Sequence, residues 1–328
     1  VAARERILSG MRPTGRLHLG NLLGALDNWV HLQADYDCFY FVADYHALTS
    51  DLPKKGEIAA NTVEMVADWL GAGLDPARST FFVQSLVPEH AELHLLFSML
   101  TPVAWLERVP TYKEMVEQLG LASPSYGLLG YPLLQSADIL LYKPRYVPVG
   151  VDQAPHVELT REVARRFNHL FGAVFPEPEI KLTVIPKVPG IDGRKMSKSY
   201  DNAIYLADPP AVTVPRIRTM VTDPARQRRS DPGNPEVCPV FDLHQIFTPP
   251  AERERLATGC RTAGIGCLDC KGVLLEHLMP TLDTIRERRA GFAARPERIR
   301  EVLHTGSAAA RETARQTLAE AKAAVGIA

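Results

Sequence analysis

The sequence is short of cysteine, of long apolar runs and of net charge. Five cysteines in 328 residues are too few for a disulfide scaffold. No apolar stretch reaches the ~18 residues that a membrane span needs. Val1–Gly10 holds Arg4, Glu5 and Arg6 with no apolar block behind them, so it does not read as a signal peptide. A cytoplasmic protein without membrane association is expected. Aromatic residues make up only 7%, but hydrophobic residues reach 46% and charged residues 23%, the values of a globular chain rather than a disordered one. The length suggests about two domains. The formal net charge of -1, taken as one number, argues against a nucleic-acid partner. The charge is unevenly spread, however. Residues 1–210 hold 19 basic and 24 acidic side chains, whereas residues 211–328 hold 18 basic and 14 acidic. The near-neutral average hides an acidic front and a basic back that can draw a polyanion.

Strand-like runs alternate with helical stretches through the first two hundred residues. Arg6–Gly10, Cys38–Val42 (CFYFV), Thr80–Val83 (TFFV) and Tyr146–Val149 (YVPV) read as strands. Gly20–Gln33, Glu57–Leu70 and Ala154–Phe171 space their apolar residues as helices do. Strands separated by helices long enough to cross over predict an α/β fold with a Rossmann-like, doubly wound parallel sheet. Ligands of such sheets sit at the C-terminal strand ends. The character changes near residue 190. Pro186–Gly193 (PKVPGIDG) is a loop by its proline and glycine, and Thr222–Pro239 is a second irregular connection. From Ala251 the chain reads as helical and closes on Ala308–Ala324, a run of strong helix formers. The expected division is a catalytic α/β domain over 1–200 and an all-helical domain over 201–328.

Two segments carry phosphate chemistry. Pro13-Thr14-Gly15-Arg16-Leu17-His18-Leu19-Gly20-Asn21 follows a strand and opens a helix. Glycine there lets a base or phosphate approach the backbone, and the helix start offers free N–H groups and a positive dipole end. His18 and Asn21 can donate to phosphate oxygens. An ordinary strand–turn–helix with polar caps would use similar residues. The second segment, Gly190-Ile-Asp-Gly-Arg194-Lys195-Met196-Ser197-Lys198-Ser199, packs three positive charges and two hydroxyls behind two glycines. Such a loop can close over a polyphosphate and neutralise a leaving pyrophosphate; the alternative is a solvated basic turn.

Together the two segments resemble the nucleotide-binding signatures of the class I aminoacyl-tRNA synthetases. His18-Leu-Gly-Asn21 stands for the HIGH motif in degenerate form, and Lys195-Met-Ser-Lys-Ser199 matches KMSKS in full. The middle of the chain narrows the resemblance. Tyr131-Pro-Leu-Leu-Gln135-Ser-Ala-Asp138-Ile-Leu-Leu-Tyr142, Val147-Pro-Val-Gly150-Val-Asp152-Gln153 and His156-Val-Glu158-Leu-Thr-Arg161 are similar to the tryptophanyl-tRNA synthetase branch. The tyrosyl branch shares a Tyr–Gln–Asp spacing and is the nearest alternative. The resemblance implies that L-tryptophan and ATP, with Mg²⁺, give tryptophanyl-adenylate and pyrophosphate, and that the aminoacyl group then passes to tryptophan tRNA. It also implies a homodimer with tRNA spanning both subunits.

Residue roles follow from the resemblance. Asp138 matches the family's indole-reading carboxylate, and a site that pairs it with the indole N–H should reject Phe strongly, because the buried carboxylate would be left alone. Gln135 lies three residues away and shares its helical face. Tyr131, Val147, Val149 and Leu8 would wall the amino-acid pocket, and Gln153 and His46 would hold the amino acid's polar end. Lys195 and Lys198, with His18, would stabilise the transition state. Arg12, Pro13, Thr14, Gly20, Asn21, Gly150, Val151, Asp152, Met196, Ser197 and Ser199 would complete the ATP site. Lys113 lies where the family often carries another ATP lysine, on a segment that departs from some members.

Cys238, Cys260, Cys267 and Cys270 are spaced C-x21-C-x6-C-x2-C. Four thiolates can hold zinc or an iron–sulfur cluster, or remain free. A subset of the family carries a 4Fe–4S cluster at a similar spacing, with a first interval one residue longer. Two arginine groups, Arg216, Arg218, Arg226, Arg228 and Arg229 and then Arg286, Arg288, Arg289, Arg295, Arg298 and Arg300, suit tRNA phosphates and exposed bases. The alternative is a pair of solvated helix faces. Two other functions fit parts of the sequence: a synthetase-like tryptophan-binding regulator, against which the intact KMSKS argues, and a small-molecule nucleotidyltransferase, for which the basic helical part is superfluous.

Overall fold

The computed structural model describes residues 4–49, 56–118, 120, 123–182 and 188–327. Pro186 and Lys187 of the expected loop lie outside them. In chain order the elements are β1 (Arg6–Met11), α1 (Leu19–Asn21), α2 (Asp27–Leu32), β2 (Asp37–Val42), α3 (Asp44–Ala47), α4 (Glu57–Ala72), β3 (Ser79–Val83), α5 (Glu89–Ser98), α6 (Val103–Glu107), α7 (Pro110–Gln118), α8 (Tyr126–Tyr142), β4 (Tyr146–Val149), α9 (Ala154–Phe171), β5 (Glu179–Leu182), α10 (Pro210–Thr219), α11 (Pro239–Phe247), α12 (Pro250–Arg261), α13 (Cys267–Ala293) and α14 (Pro296–Val325). A π-helical segment, Leu22–Leu26, joins α1 to α2.

The strands form one parallel sheet in the order β3-β2-β1-β4-β5. The chain builds outward from β1 to β3 and then returns to lay β4 on the other side of β1. The crevice between β1 and β4 is therefore the switch point where doubly wound sheets bind ligands. The register puts Met11 opposite Val42 and Val42 opposite Val83, so the segments after β1, β2 and β3 leave from one edge of the sheet. The fifth strand was not expected. Its sequence, EIKL, is short and half charged, and its side chains are exposed or half-buried, so it has no apolar run to announce it.

Alternation along the strands makes two cores. Ile7, Cys38, Tyr40, Val42, Phe81 and Val83 face a cluster with Leu26, Trp29, Met65 and Trp69. Leu8, Phe39, Phe41 and Phe82 face a second cluster with Leu140, Val157 and Phe167. Residues from beyond position 200 enter both. Leu278, Leu282 and Ile285 of α13 join the first, and Ala310, Ala314 and Leu318 of α14 join the second. Gly71 lets α13 lie close on α4, since a Cβ there would stand 2.9 Å from the Ile285 carbonyl oxygen.

The arginine groups only partly face solvent. Arg226 is buried and donates to the Arg229 and Ile265 carbonyls at 2.9 and 2.7 Å. Arg216 donates to the Asp201 carbonyl at 2.6 Å. Arg286 and Arg289 also turn inward, to Asp208 and Asp68. The expectation of two exposed groups is corrected for these four, which spend their donors on carbonyls and on the buried Asp68 carboxylate instead of on water. Arg218, Arg228, Arg229, Arg288, Arg295, Arg298 and Arg300 remain exposed.

The last helix meets the outer strand. Ser307 Oγ accepts the Val83 N–H at 3.1 Å, and Gly306 lies against the Phe81 carbonyl, where a Cβ would come within 1.9 Å of the oxygen. Gly306→Ala is expected to lose about 1–3 kcal/mol through forced separation of helix and strand. Gly272→Ala on α13, where a Cβ meets nothing within 4 Å, should gain up to ~1 kcal/mol. Urea unfolding of both variants checks the opposite signs.

Candidate active site

A cavity of about 500 Å³ opens at the sheet crevice. Its walls include Leu8 from β1, Val147 and Val149 from β4, Tyr131, Gln135 and Asp138 from α8, His46 from α3, and Gly150, Gln153 and His156 beyond β4. Asp138 is fully buried. Its Oδ1 accepts from Gln84 Nε2 at 2.7 Å and His90 Nδ1 at 2.6 Å, and its Oδ2 accepts from His46 Nε2 at 2.8 Å. Burial alone would push this carboxyl up. The hydrogen bonds from His46 and His90 overcome it and hold the group well below the usual carboxylate range. The carboxylate is thus already paired within the protein, and of its roughly four acceptor positions one on Oδ2 is still available. With its Nδ1–H on Asp138, His90 accepts at Nε2 from the Tyr142 hydroxyl, 2.8 Å away. Gln84 Oε1 in turn accepts the Tyr45 N–H at 3.2 Å.

A second chain of contacts crosses the cavity mouth. The Tyr131 and Thr111 hydroxyls are 2.6 Å apart, and Thr111 Oγ1 lies 2.6 Å from His156 Nε2. Burial, with His46 nearby, lowers the His156 pKa to about 4, so the ring is neutral at pH 7. Its Nδ1 has no hydrogen-bond partner among the described residues.

The adjoining cavity, about 840 Å³, is lined by Arg12, Thr14, His18, Gly20, Asn21, Lys195, Met196, Ser197, Lys198 and Ser199. Arg12 belongs to the walls of both cavities. His18 stands at the start of the helical run. Its N–H donates to Asn21 Oδ1 at 3.1 Å, and its buried Nδ1 has no partner among the described residues. Burial and the Lys198 charge bring the His18 pKa down to about 4, so it offers a neutral ring. Lys198 Nζ donates to the Thr14 carbonyl at 3.1 Å. Burial lowers its pKa to about 8, opposed by the Asp68 carboxylate. Lys195 is exposed at the rim. Pro13, Val151, Asp152 and Lys113 line neither cavity.

A profile of the family described as tRNA synthetases class I (W and Y) matches residues 2–282. The chain belongs to the class I tRNA synthetases. A curated relative from Thermotoga maritima, named tryptophan–tRNA ligase, is 52% identical, covering 98% of this chain and 99% of its own length. The tryptophan–tRNA ligase of Ralstonia nicotianae is 43% identical over 98% of each. Among solved structures, the tryptophanyl-tRNA synthetase of Campylobacter jejuni complexed with ADP and tryptophan superposes with a TM-score of 0.88 at 36% identity, over 98% of this chain and 99% of that one.

Several residues that build this synthetase site carried no signal in the sequence. Gln84 and His90 sit at the ends of unrelated segments, and only the fold brings them to Asp138. Asn202, buried at 1% exposure, clamps the KMSKS loop. Its Oδ1 accepts the Ser197 N–H at 2.8 Å, and its Nδ2 donates to Asp192 at 2.7 Å and to the Lys195 carbonyl at 3.1 Å. A Cβ on Gly190 would stand 2.3 Å from the Asn202 side chain, which explains that glycine. Asn202 follows KMSKS by three residues, and this proximity was the one available hint.

The four cysteines of the second region, Cys238, Cys260, Cys267 and Cys270, are free thiols around one small cavity of about 20 Å³. Burial and the neighbouring thiols push Cys270 up to about 12, and burial raises Cys238 and Cys260. Gly233 forms part of this cradle, where a Cβ would come within 2.7 Å of Cys260 Sγ. Among the described residues, no three His, Cys, Asp or Glu side chains stand close enough together to hold a metal ion. The donor set suits a thiolate-bound group, whereas the spacing is that of protonated thiols sharing a cavity.

Proposed function

We infer that this chain is a tryptophan–tRNA ligase. It activates L-tryptophan with ATP and transfers the tryptophanyl group to tRNA. The observation that carries the reading is the pair of joined cavities, one apolar around a buried carboxylate and one lined by the lysines and helix start of the two signatures, with Arg12 between them. Tryptophan's indole would enter the apolar cavity and donate to the open position on Asp138 Oδ2. Gln153 and Gln135 would meet its polar end, whereas His46, expected there, donates to Asp138 Oδ2 and so stands at the indole end. Its carboxylate then faces the second cavity, where the α-phosphate of ATP would lie.

Attack of that carboxylate on the α-phosphate forms the mixed anhydride and expels pyrophosphate. Little covalent work falls to the protein, so positioning and charge stabilisation dominate. Lys195 and Lys198 would neutralise the leaving pyrophosphate, and the Gly20 N–H with the Asn21 side-chain amide would meet the phosphates, the Asn21 N–H being taken by the His18 carbonyl. The neutral His18 ring would contribute a hydrogen bond. Mg²⁺ would arrive with the nucleotide as part of the substrate and offset its charge, which needs few protein ligands. Gly150 would border the adenosine, and Val151 and Asp152, which line neither cavity, would have to close on it.

Residues 1–200 form the catalytic part in this reading, and 201–328 the helical part that meets the tRNA anticodon. The exposed arginines from Arg218 to Arg300 would supply phosphate contacts. The enzyme would work in the cytoplasm. It would do so as a homodimer, which exposed Leu95 on α5, Met99 just past its end and Val103 at the start of α6 support. The four cysteines carry the donor set for a 4Fe–4S cluster, but as placed they do not stand close enough together to hold a metal, so the segments before α11, at the end of α12 and at the start of α13 would have to draw together around it.

Three outcomes are expected. Pyrophosphate exchange by the purified protein should depend on tryptophan; dependence on tyrosine would overturn the assignment. The kcat/KM for ATP should fall as pH rises through about 8, where Lys198 loses its proton, and Lys198→Arg should abolish that limb, because guanidinium keeps its charge. Protein purified without oxygen should be brown and contain iron, and colourless, iron-free protein would remove the cluster.

A further inference from the structure

We propose that Asp68 and Arg289 are positioning residues for the nucleotide, forming a latch that ties α13 to the Arg16–His18 segment. The proposal rests on the ligase reading for its substrate but on geometry for its parts. Asp68 lies on α4 and is fully buried. Its two oxygens face two different structures. Oδ2 accepts the Leu17 N–H at 3.0 Å, and Oδ1 accepts Arg289 Nε at 2.6 Å. Leu17 immediately precedes His18, whose ring lines the nucleotide cavity. Arg289 comes from α13, more than two hundred residues later, and its Nη2 reaches Glu64. The close approach of α4 and α13 at Gly71 brings the guanidinium into range.

A second contact runs parallel to the first. Arg286, one turn earlier on α13, donates to the Asp208 carbonyl at 2.9 Å, and the Asp208 carboxylate pairs with Arg16. The Arg16 guanidinium also covers the Tyr205 ring at 4.7 Å, and Tyr205 pairs with His18 in an antiparallel bridge. Arg16, Leu17 and His18 are thus each held by a partner that leads, directly or through one residue, to α13 or to the segment after the KMSKS loop. A loop whose amides and imidazole must meet phosphates gains from such fixing, because misplacement of about 1 Å is costly to a reaction run by positioning. The amino-acid cavity has no wall residue from this latch, so its effect should fall on the nucleotide.

The test uses the full chain with Asp68→Asn, Arg289→Met, Arg289→Lys and the double variant Asp68→Asn/Arg289→Met. ATP binding is followed by calorimetry with Mg²⁺-ATP as the probe, and KM values for ATP and tryptophan come from pyrophosphate exchange. Each of the first two variants should weaken ATP roughly tenfold, the scale of one charged hydrogen bond. The KM for tryptophan should stay within about twofold, Arg289→Lys should recover part of the loss, and the double variant should cost no more than the worse single one, as expected of one shared interaction. Unchanged ATP binding, an equal rise in the tryptophan KM, or additive losses would overturn the latch. Should Asp68→Asn fail to fold, the two Arg289 variants decide by the same split and rescue. Exchange that follows tyrosine would sink the ligase reading alone, since calorimetry with ATP still decides the latch.

Discussion

A single buried charge organises the amino-acid half of this molecule. Asp138 sits on α8 with no access to water, and a carboxylate there is tolerable only if its oxygens are met by donors. Those donors come from three other places: His46 on α3 after β2, Gln84 just after β3 and His90 on α5. The ends of two strands and two helices are thereby fixed relative to α8. Removing the charge would free all of them, while removing one donor would leave the charge short. The network also sets the electrostatics of the cavity, since the donors stabilise the ionised carboxylate and leave it as an acceptor.

The nucleotide half follows a different rule. Its positive groups are few, and burial weakens two of them. His18 is neutral at pH 7, and Lys198 titrates at about 8. What the site offers is geometry, with a hairpin clamped by Asn202 facing a loop held by Asp68 and Asp208. Such an arrangement suits a reaction with a good leaving group, in which fixed donors matter more than proton transfer. The acidic lean of the first two hundred residues is compatible with ATP for the same reason, because field and donors are supplied locally.

Much of this was legible in the sequence. The apolar runs CFYFV, TFFV and YVPV became β2, β3 and β4, because strands buried on both faces must be apolar throughout. The two signatures appeared at the predicted strand-to-helix and loop positions and line one cavity. What the sequence could not display is direction and distance. The edge strand EIKL has no apolar run to mark it. An arginine reads as surface, yet Arg226, Arg286 and Arg289 turn inward, to Ile265, Asp208 and Asp68, which lie 39, 78 and 221 residues away. Asp138 was expected to await a ligand's N–H, but local histidines and a glutamine already serve it, from positions that no periodicity connects.

The seating of α14 on β3 sets an order of events during synthesis. β3 is the outer strand of the sheet, and an outer strand leaves backbone groups open to pairing with another chain. Here Ser307 takes the Val83 N–H, and Gly306 closes on the Phe81 carbonyl. More than two hundred residues separate the strand from its cover. While the ribosome is still making them, the sheet has a raw margin that only chaperones or chance can shield. The enzyme's first half can therefore begin to fold early, but its margin is covered only once α14 has emerged.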